Sequence, residues 1–267
     1  MLKANGQEAM MRRRSLLASG LAGSLVAGGL AGAPRPARAQ EAADVLLVLA
    51  VDVSRSVDED EARLQREGYR SAMTDPRVVE AIRGGAVGAI ALTYVEWAGA
   101  EYQRQVLPWT RIAGQRDAEA WSSALAEAPR ASLSWTSISA ALEFSMAMLE
   151  DCPFEGTRKV VDVSGDGVNN SGPAVEPVRD RAVAAGIVIN GLPILNDRPS
   201  FGRRTAVPLD QYYAESVIGG PGAFLVAAED FEAFGVAVRR KLIREIAGRA
   251  GPPRVLARRD RVAEGQG

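Results

Sequence analysis

The chain has 267 residues, of which 47% are hydrophobic, 24% charged and 6% aromatic, a composition typical of globular proteins rather than of disordered or membrane-embedded chains. It contains no histidine and a single cysteine, Cys152, which excludes Ser-His-Asp and Cys-His catalytic sites, histidine-ligated zinc and an internal disulfide. After residue 39 the chain has 26 basic and 32 acidic residues, and this net charge of about −6 argues against nucleic acid as the main partner, because phosphate binding requires a basic surface.

The N-terminal segment has the pattern of an export signal. Three arginines at 12–14 precede an apolar, glycine-diluted stretch, and Ala-Arg-Ala at 37–39 is a small-x-small cleavage site. The Arg-Arg-Ser-Leu-Leu string at 13–17 resembles the twin-arginine signal. We predict that residues 1–39 are a signal peptide removed before Gln40, leaving a periplasmic or secreted bacterial protein without a stable membrane span. An uncleaved anchor is the alternative, but the apolar stretch is shorter than the roughly 20 residues of a spanning helix.

The first predicted strand and helix follow the cleavage site. The aliphatic run at 45–51 has the length and composition of a strand buried in a parallel sheet, and it ends at Asp52. Ser56 and Glu59 form a capping-box pattern, which predicts a helix that begins here and ends near residue 73.

Two further strands are predicted at 86–97 and 102–109. The connection at 99–101 is too short for a crossover helix, so the two strands are expected to pair as an antiparallel hairpin. Helices are predicted at 117–128 and 137–149.

The rest of the chain continues to alternate strands and helices. The remaining predicted elements are a strand at 158–163, a Gly/Asn-rich loop at 164–170, a helix at 174–185, a strand at 187–192, a surface loop at 196–207, a short helix at 209–217, an edge strand at 224–227 and a closing helix at 230–246. Alternation of this kind predicts one α/β domain over 40–250, a doubly wound, mixed and mostly parallel sheet, with ligands beyond the carboxyl ends of its strands. Residues 251–267 are predicted to be a flexible basic tail.

Basic residues are concentrated near the end of the closing helix: Arg239, Arg240, Lys241, Arg244 and Arg249. We expect this run to be a solvated helix face rather than a nucleic-acid surface.

The glycine-rich stretch at 219–222 lacks the Lys-Ser/Thr ending of a phosphate-binding loop and is expected to be a turn.

Small oxygen-bearing residues are found in three loops at the predicted carboxyl edge of the sheet. Asp52, Ser54 and Ser56 alternate after the first strand, Thr136 precedes a helix, and Asp166 follows a later strand. Carboxylate and hydroxyl oxygens without sulfur or imidazole suit a hard cation such as Mg²⁺, with Mn²⁺ and Ca²⁺ as alternatives. We therefore predict a divalent metal site formed by these five residues.

The Asp-x-Ser-x-Ser loop, the separate Thr136 and the Asp166-Gly167 loop, in this order, resemble the metal-ion-dependent adhesion site of the von Willebrand factor type A domain. The resemblance covers most of residues 43–248. It implies a mostly parallel sheet with one antiparallel edge strand and helices on both faces. It also implies direct metal contacts from the hydroxyls, contacts largely through water from the aspartates, and an open position for an acidic side chain of a protein partner. The chain also resembles an uncharacterised family of exported bacterial proteins.

One departure concerns the third loop. Gly165 stands directly before Asp166, where the family more often has a hydroxyl residue, and Asp162 within the preceding predicted strand is the alternative acid.

Each motif residue also has an ordinary structural interpretation. Asp52 and Ser56 could cap the following helix, Thr136 could be an N-cap, and Asp166 and Asn169 could be turn residues. The three motifs in order favour the metal site over these alternatives.

Three functions remain open from the sequence. The first is a non-enzymatic module that recruits a protein partner through the metal. The second is a magnesium-dependent hydrolase of phosphate esters or similar substrates. The third is a scaffold or assembly factor with a vestigial metal site.

Overall fold

The computed structural model describes residues 40–129, 131, 133–195 and 207–248. The predicted signal peptide and basic tail, and the predicted surface loop except for Val207, lie outside the described residues, so these assignments stay predictions. Within the described part of the chain, no helix is long and apolar enough to cross a membrane.

The strands form one central sheet and one small parallel pair. In chain order they are β1 (Ala42–Ala43), β2 (Val45–Asp52), β3 (Ile90–Trp97), β4 (Gln103–Ile112), β5 (Glu155–Gly156), β6 (Lys159–Gly165) and β7 (Ile187–Pro193). The central sheet has the order β4-β3-β2-β6-β7, while β1 pairs with β5. Only β4 runs antiparallel to its neighbour in this sheet, at the edge beside β3, as the hairpin prediction required.

Helices cover both faces of the sheet. They are α1 (Glu59–Met73), α2 (Pro76–Arg83), α3 (Gln115–Glu127), α4 (Ile138–Glu150), α5 (Val175–Ala184), α6 (Leu209–Tyr212), which continues as a π-helical turn (Tyr213–Val217), and α7 (Phe234–Ala247). Helices α1, α2, α3 and α7 cover one face and α4 and α5 the other, so the mostly parallel α/β architecture is confirmed.

Strand β2 shows why the apolar run predicted its position correctly. All eight of its residues are buried. Val45, Leu47 and Leu49 belong to the core beneath α1 and α7, while Leu46 and Val48 belong to the core beneath α4 and α5. A strand with helices on both faces needs apolar side chains at successive positions, and this requirement produces a continuous aliphatic run.

Several predicted boundaries were wrong. Helix α2 was not predicted. The Asp75 side chain caps it and a proline is its first residue, and both are typical signals of a helix start. Strand β3 begins at Ile90 rather than at residue 86. The segment at 224–227 forms an isolated bridge from Leu225 to Gly191 of β7 rather than a strand. The turn at 219–222 is present, with positive φ at Gly220 and Gly222.

The closing helix also differs from its prediction. It begins at Phe234, and Lys241, expected on a solvated face, is fully buried. Its ammonium lies 2.5 Å from the carboxylates of both Asp162 and Glu245. The basic run is therefore not a single solvated face.

Candidate metal centre

The loop after β2 turns its polar side chains toward the carboxyl edge of the sheet. Asp52 is fully buried at the end of the strand, and its Oδ1 accepts a hydrogen bond of 2.8 Å from the Ser54 amide. The Val57 amide donates to the Ser54 carbonyl at 3.0 Å, which closes the turn. Ser54 and Ser56 are thereby held on the same side of the loop, with their Oγ atoms 3.0 Å apart.

The helix-cap interpretation of this loop is contradicted by the start of α1. Its N-cap is Asp58, which forms a capping box with Glu61: Asp58 accepts from the Glu61 amide, and Glu61 accepts from the Asp58 amide. The capping box predicted from Ser56 and Glu59 was therefore placed two residues too early. Ser56 instead donates a hydrogen bond of 2.6 Å to Asp166 Oδ1.

Thr136 is buried beside Ser54. Its Oγ1 donates to Ser54 Oγ at 3.4 Å, and its backbone amide donates to Asn170 Oδ1 at 2.8 Å. The N-cap of α4 is Ser137, whose Oγ accepts from the Ala140 amide. Thr136 is therefore not the cap of this helix.

The oxygens of four predicted ligands form one continuous chain. It runs from Thr136 to Ser54, then to Ser56 and Asp166, and so connects all three loops. The carboxylate of Asp52 joins it through the Ser54 backbone. All five predicted site residues are therefore brought together at one edge of the sheet.

The arrangement fits a divalent cation on geometric grounds. Oxygens at neighbouring corners around octahedral Mg²⁺, with metal–oxygen distances of about 2.1 Å, lie about 3 Å apart. The Ser54–Ser56 separation of 3.0 Å matches this spacing. Asp52 Oδ2 is buried without a hydrogen-bond partner among the described residues. In that part of the chain no group of three or more His, Cys, Asp or Glu side chains could hold a metal, so any site at this edge depends on hydroxyls.

The electrostatics of the edge also favour a cation. Burial raises the pKa of Asp52 well above its usual value, and the nearby charge of Asp166 raises it further, against smaller opposing effects from hydrogen bonds of Ser54. Both effects penalise the ionised form when two carboxylates face each other away from water. A bound divalent cation would reverse this penalty.

Two asparagines in the third loop were not predicted as site residues. Asn170 fixes the Thr136 amide, and Asn169 Oδ1 accepts from the Ser139 amide at 3.2 Å. They connect the Asp166 loop to Thr136 and to the start of α4. The sequence pattern at 164–170 predicted only a loop. Asparagine side chains, however, often accept hydrogen bonds from backbone amides of neighbouring loops.

A buried ion pair connects the sheet to the residues between α3 and Thr136. Arg66 on α1 lies 2.6 Å from Glu96 on β3, and it donates to the backbone carbonyls of Ala128 and Pro129. The chain leading to Thr136 is thereby anchored to the sheet. No sequence signal marked Arg66, because its partners are far from it in the chain.

Asp162, the alternative acid, lies in a different cluster. Its carboxylate is buried against Lys241 on the face of the sheet covered by α7. It shares the Lys241 ammonium with Glu245 there, whereas Asp166 is the acid that hydrogen bonds to the first loop.

The fold resembles those of several solved structures. For proximal thread matrix protein 1 (PTMP1) from the mussel byssus, in a structure described as having a zinc occupied MIDAS motif, the TM-score is 0.54 at 15% identity over 77% of this chain and 46% of that chain. For the pilus adhesin SpaC from Lactobacillus rhamnosus GG, the TM-score is 0.55 at 15% identity, covering 78% and 31% of the two chains. A von Willebrand factor type A structure from Catenulispora acidiphila has a TM-score of 0.49 at 13% identity, covering 77% and 42%.

These comparisons bear on the fold alone. The identities are low, and the chain spans less than half the length of each of the three proteins. The predicted von Willebrand factor type A-like α/β fold is confirmed.

A family model described as "Protein of unknown function (DUF1194)" matches residues 42–250. A comparison with curated proteins finds no match.

Proposed function

The chain belongs to the family described as "Protein of unknown function (DUF1194)", and from that premise we propose that it is an exported binding module that recruits a protein partner through a divalent cation. The proposed metal residues are Asp52, Ser54, Ser56, Thr136 and Asp166. The observation that carries the proposal is the continuous chain of side-chain oxygens from three loops, next to a buried Asp52 oxygen that has no hydrogen-bond partner among the described residues.

The five residues have different roles in this proposal. Ser54, Ser56 and Thr136 present hydroxyl oxygens to the cation, while Asp52 and Asp166 balance its charge and orient the hydroxyls. When bound, the cation supplies a Lewis-acidic position at which a carboxylate of the partner can complete the coordination. We propose Mg²⁺ as the physiological ion, with Mn²⁺ and Ca²⁺ as alternatives. The fold relative with a zinc occupied MIDAS motif supports the use of a divalent ion.

The residue before Thr136 supports a binding surface at this edge. Trp135 is 55% exposed and has a positive φ of 73°. Such a backbone conformation costs a bulky residue about 1–3 kcal/mol and is found most often at functional sites. An exposed tryptophan next to Thr136 is suited to contact a partner, because aromatic side chains are frequent anchors of interfaces.

Export is part of the proposal. It rests on the twin-arginine-like signal at 1–39, and it places the binding module in the periplasm or outside the cell. A pilus adhesin among the fold relatives is consistent with a binding role in such a location.

The direct test is thermal unfolding of the purified protein with and without millimolar Mg²⁺. A ligand at about 100 times its dissociation constant stabilises the native state by roughly 2.7 kcal/mol. We expect the wild type to show this stabilisation and Asp52→Ala and Thr136→Ala to lose it. Ser137→Ala is the matched control, since it removes a helix cap next to Thr136: it should lower the unfolding temperature but keep the magnesium shift.

The other two functions make different predictions. A hydrolase would release product from model phosphate esters only when magnesium is added. A scaffold with a vestigial site would show no magnesium-dependent stabilisation, and its partners would bind equally well in the presence of a chelator.

A further inference from the structure

A buried tyrosine lies close to Asp52, one of the proposed metal residues. Tyr213 begins the π-helical turn that follows α6, and its side chain is fully buried. Its hydroxyl has no hydrogen-bond partner among the described residues. π-helical turns are uncommon and often occur at functional sites, since the extra residue redirects a side chain.

Two strands have a glycine next to the ring of Tyr213. A Cβ atom added to Gly165 on β6 would be 3.0 Å from the Tyr213 hydroxyl, and one added to Gly191 on β7 would be 2.8 Å from Tyr213 Cδ1. Glycine weakens a strand interior, so its presence there often marks the close approach of another group. Here two neighbouring strands leave room for the same aromatic ring.

The same position at Gly165 also lies close to a carboxylate oxygen. The added Cβ atom would lie 2.9 Å from Asp52 Oδ2. Asp52 Oδ2 and the Tyr213 hydroxyl therefore lie within about 3 Å of one point, and both are buried without a hydrogen-bond partner among the described residues. One is an acceptor and the other can donate, so they are complementary.

We propose that Tyr213 is a positioning residue of the metal centre, whose hydroxyl donates to the Asp52 carboxylate when a cation is bound. The inference rests on the proposed function, because it requires that Asp52 is ionised and orients the cation-binding loop. A hydrogen bond from a neutral hydroxyl to a carboxylate is stronger than one between neutral groups. It fixes the second oxygen of Asp52, while the Ser54 amide fixes the first.

The hydroxyl stays a donor in this environment. Burial raises the pKa of Tyr213 well above its usual value, and the charges of Asp52 and Asp166 raise it further. The ring is also in place before any cation binds, since it belongs to the core beneath α4 and α5.

A purely structural role for Tyr213 gives a different expectation. If the ring only fills the core, phenylalanine should replace it without loss, because a buried hydroxyl that makes no hydrogen bond does not stabilise the fold. The two interpretations therefore differ in the effect of Tyr213→Phe on metal affinity, rather than in its effect on the metal-free protein.

The experiment compares Tyr213→Phe with Tyr69→Phe in the full chain. Tyr69 is an equally buried tyrosine whose hydroxyl donates to Ser164 Oγ at 3.1 Å, so it is a matched control for loss of a hydroxyl beside β6. We expect Tyr213→Phe to weaken Mg²⁺ binding about tenfold in isothermal titration calorimetry, the usual size of one hydrogen bond to a charged group. Its unfolding temperature in a chelator should be unchanged or higher. Tyr69→Phe should unfold at a lower temperature and bind Mg²⁺ with wild-type affinity.

A second variant tests the same contact from the strand. Gly165→Ala places a methyl group about 3 Å from both oxygens and should also weaken Mg²⁺ binding. Wild-type affinity in Tyr213→Phe would overturn the inference about Tyr213 while leaving the proposed metal centre intact. Absence of Mg²⁺ binding by the wild type would instead overturn the metal centre itself, and the inference with it.

Discussion

Strand β6 and the loop directly after it contribute carboxylates to two buried clusters with different surroundings. In the interior, Asp162 and Glu245 share the ammonium of Lys241, at 2.5 Å from each, and Asn190 donates to Glu245 at 2.9 Å. At the carboxyl edge, Asp166 faces Asp52 across serine and threonine hydroxyls. The interior cluster contains its own cation, whereas the edge cluster is lined by neutral donors of the kind that coordinate a metal.

This difference suggests how one sheet supports both stability and binding. The Lys241 ammonium is part of the chain, so the interior cluster needs no added ligand. In the proposed metal centre the edge cluster is complete only when a cation is bound, so its contribution to stability depends on ligand concentration. Variants of the interior cluster should therefore keep the stabilisation by magnesium, and variants of the edge cluster should lose it.

The largest expected effect is loss of the resident cation. Lys241→Met leaves Asp162 and Glu245 buried without their partner, and removing one member of a buried pair typically costs about 3–5 kcal/mol. Urea unfolding should show this loss equally with and without magnesium. The neighbouring exposed Arg240→Met is the control and should change stability by no more than about 0.5 kcal/mol. A near-neutral Lys241→Met would contradict the assigned role of the ammonium.

The edge cluster should show the reverse pattern. Burial and then the charge of Asp166 raise the pKa of the Asp52 carboxyl well above its usual value, because both disfavour its ionised form. Asp52→Asn removes this carboxyl, so stability in a chelator should stay the same or increase. Magnesium affinity should fall about 10- to 100-fold, the usual effect of losing an outer-sphere metal partner. Calorimetric titration measures the second effect and thermal unfolding the first. A large loss of stability without metal would show that Asp52 has a structural role instead.

The interior cluster should make the stability of the protein depend on pH. Burial and then the nearby charge of Glu245 raise the pKa of Asp162 to about 7, against a lowering effect of Lys241. The folded state therefore holds a proton that the unfolded state has already released, and stability falls as pH rises from about 4 to about 7. Asp162→Asn should flatten this slope in urea unfolding measured across that pH range, in a chelator. An unchanged slope would assign the pH dependence to another group.

The smallest expected effect concerns the exposed tryptophan. Trp135→Gly removes the strain of a positive φ and should stabilise the free protein by about 1 kcal/mol, while Trp135→Ala keeps the strain and should not. The difference between the two variants in thermal unfolding measures the strain. Both should weaken recruitment of a partner to immobilised, magnesium-loaded protein, and equal stability of the two variants would remove the argument from strain.

The sequence predicted those features that depend on local pattern. The aliphatic run of β2 and the order of the Asp-x-Ser-x-Ser loop, Thr136 and Asp166 were sufficient for the fold and for the set of residues at the edge. The helix start was misplaced because Ser56 with Glu59 and Asp58 with Glu61 both satisfy the capping-box pattern. Which pair is used depends on the contact between Ser56 and Asp166, which lies 110 residues away in the chain.

Features that depend on distant contacts could not be predicted. Lys241 lies in a basic run, and its burial depends on Asp162, on a strand far earlier in the chain. The position of Tyr213 depends on two glycines in different strands, neither of which marks a ring by itself. In both cases the necessary information is which residues meet in space, and local pattern does not contain it.

The central claim is that the five edge residues bind one divalent cation, and binding of Mn²⁺ followed by electron paramagnetic resonance tests it most directly. The signal of free Mn²⁺ should decrease on addition of the protein until one ion is bound per chain, and excess Mg²⁺ should restore it. Thr136→Ala should leave the free signal nearly unchanged. If the wild type leaves the Mn²⁺ signal unchanged at millimolar concentrations, or if Thr136→Ala binds as the wild type does, the proposed metal centre is wrong.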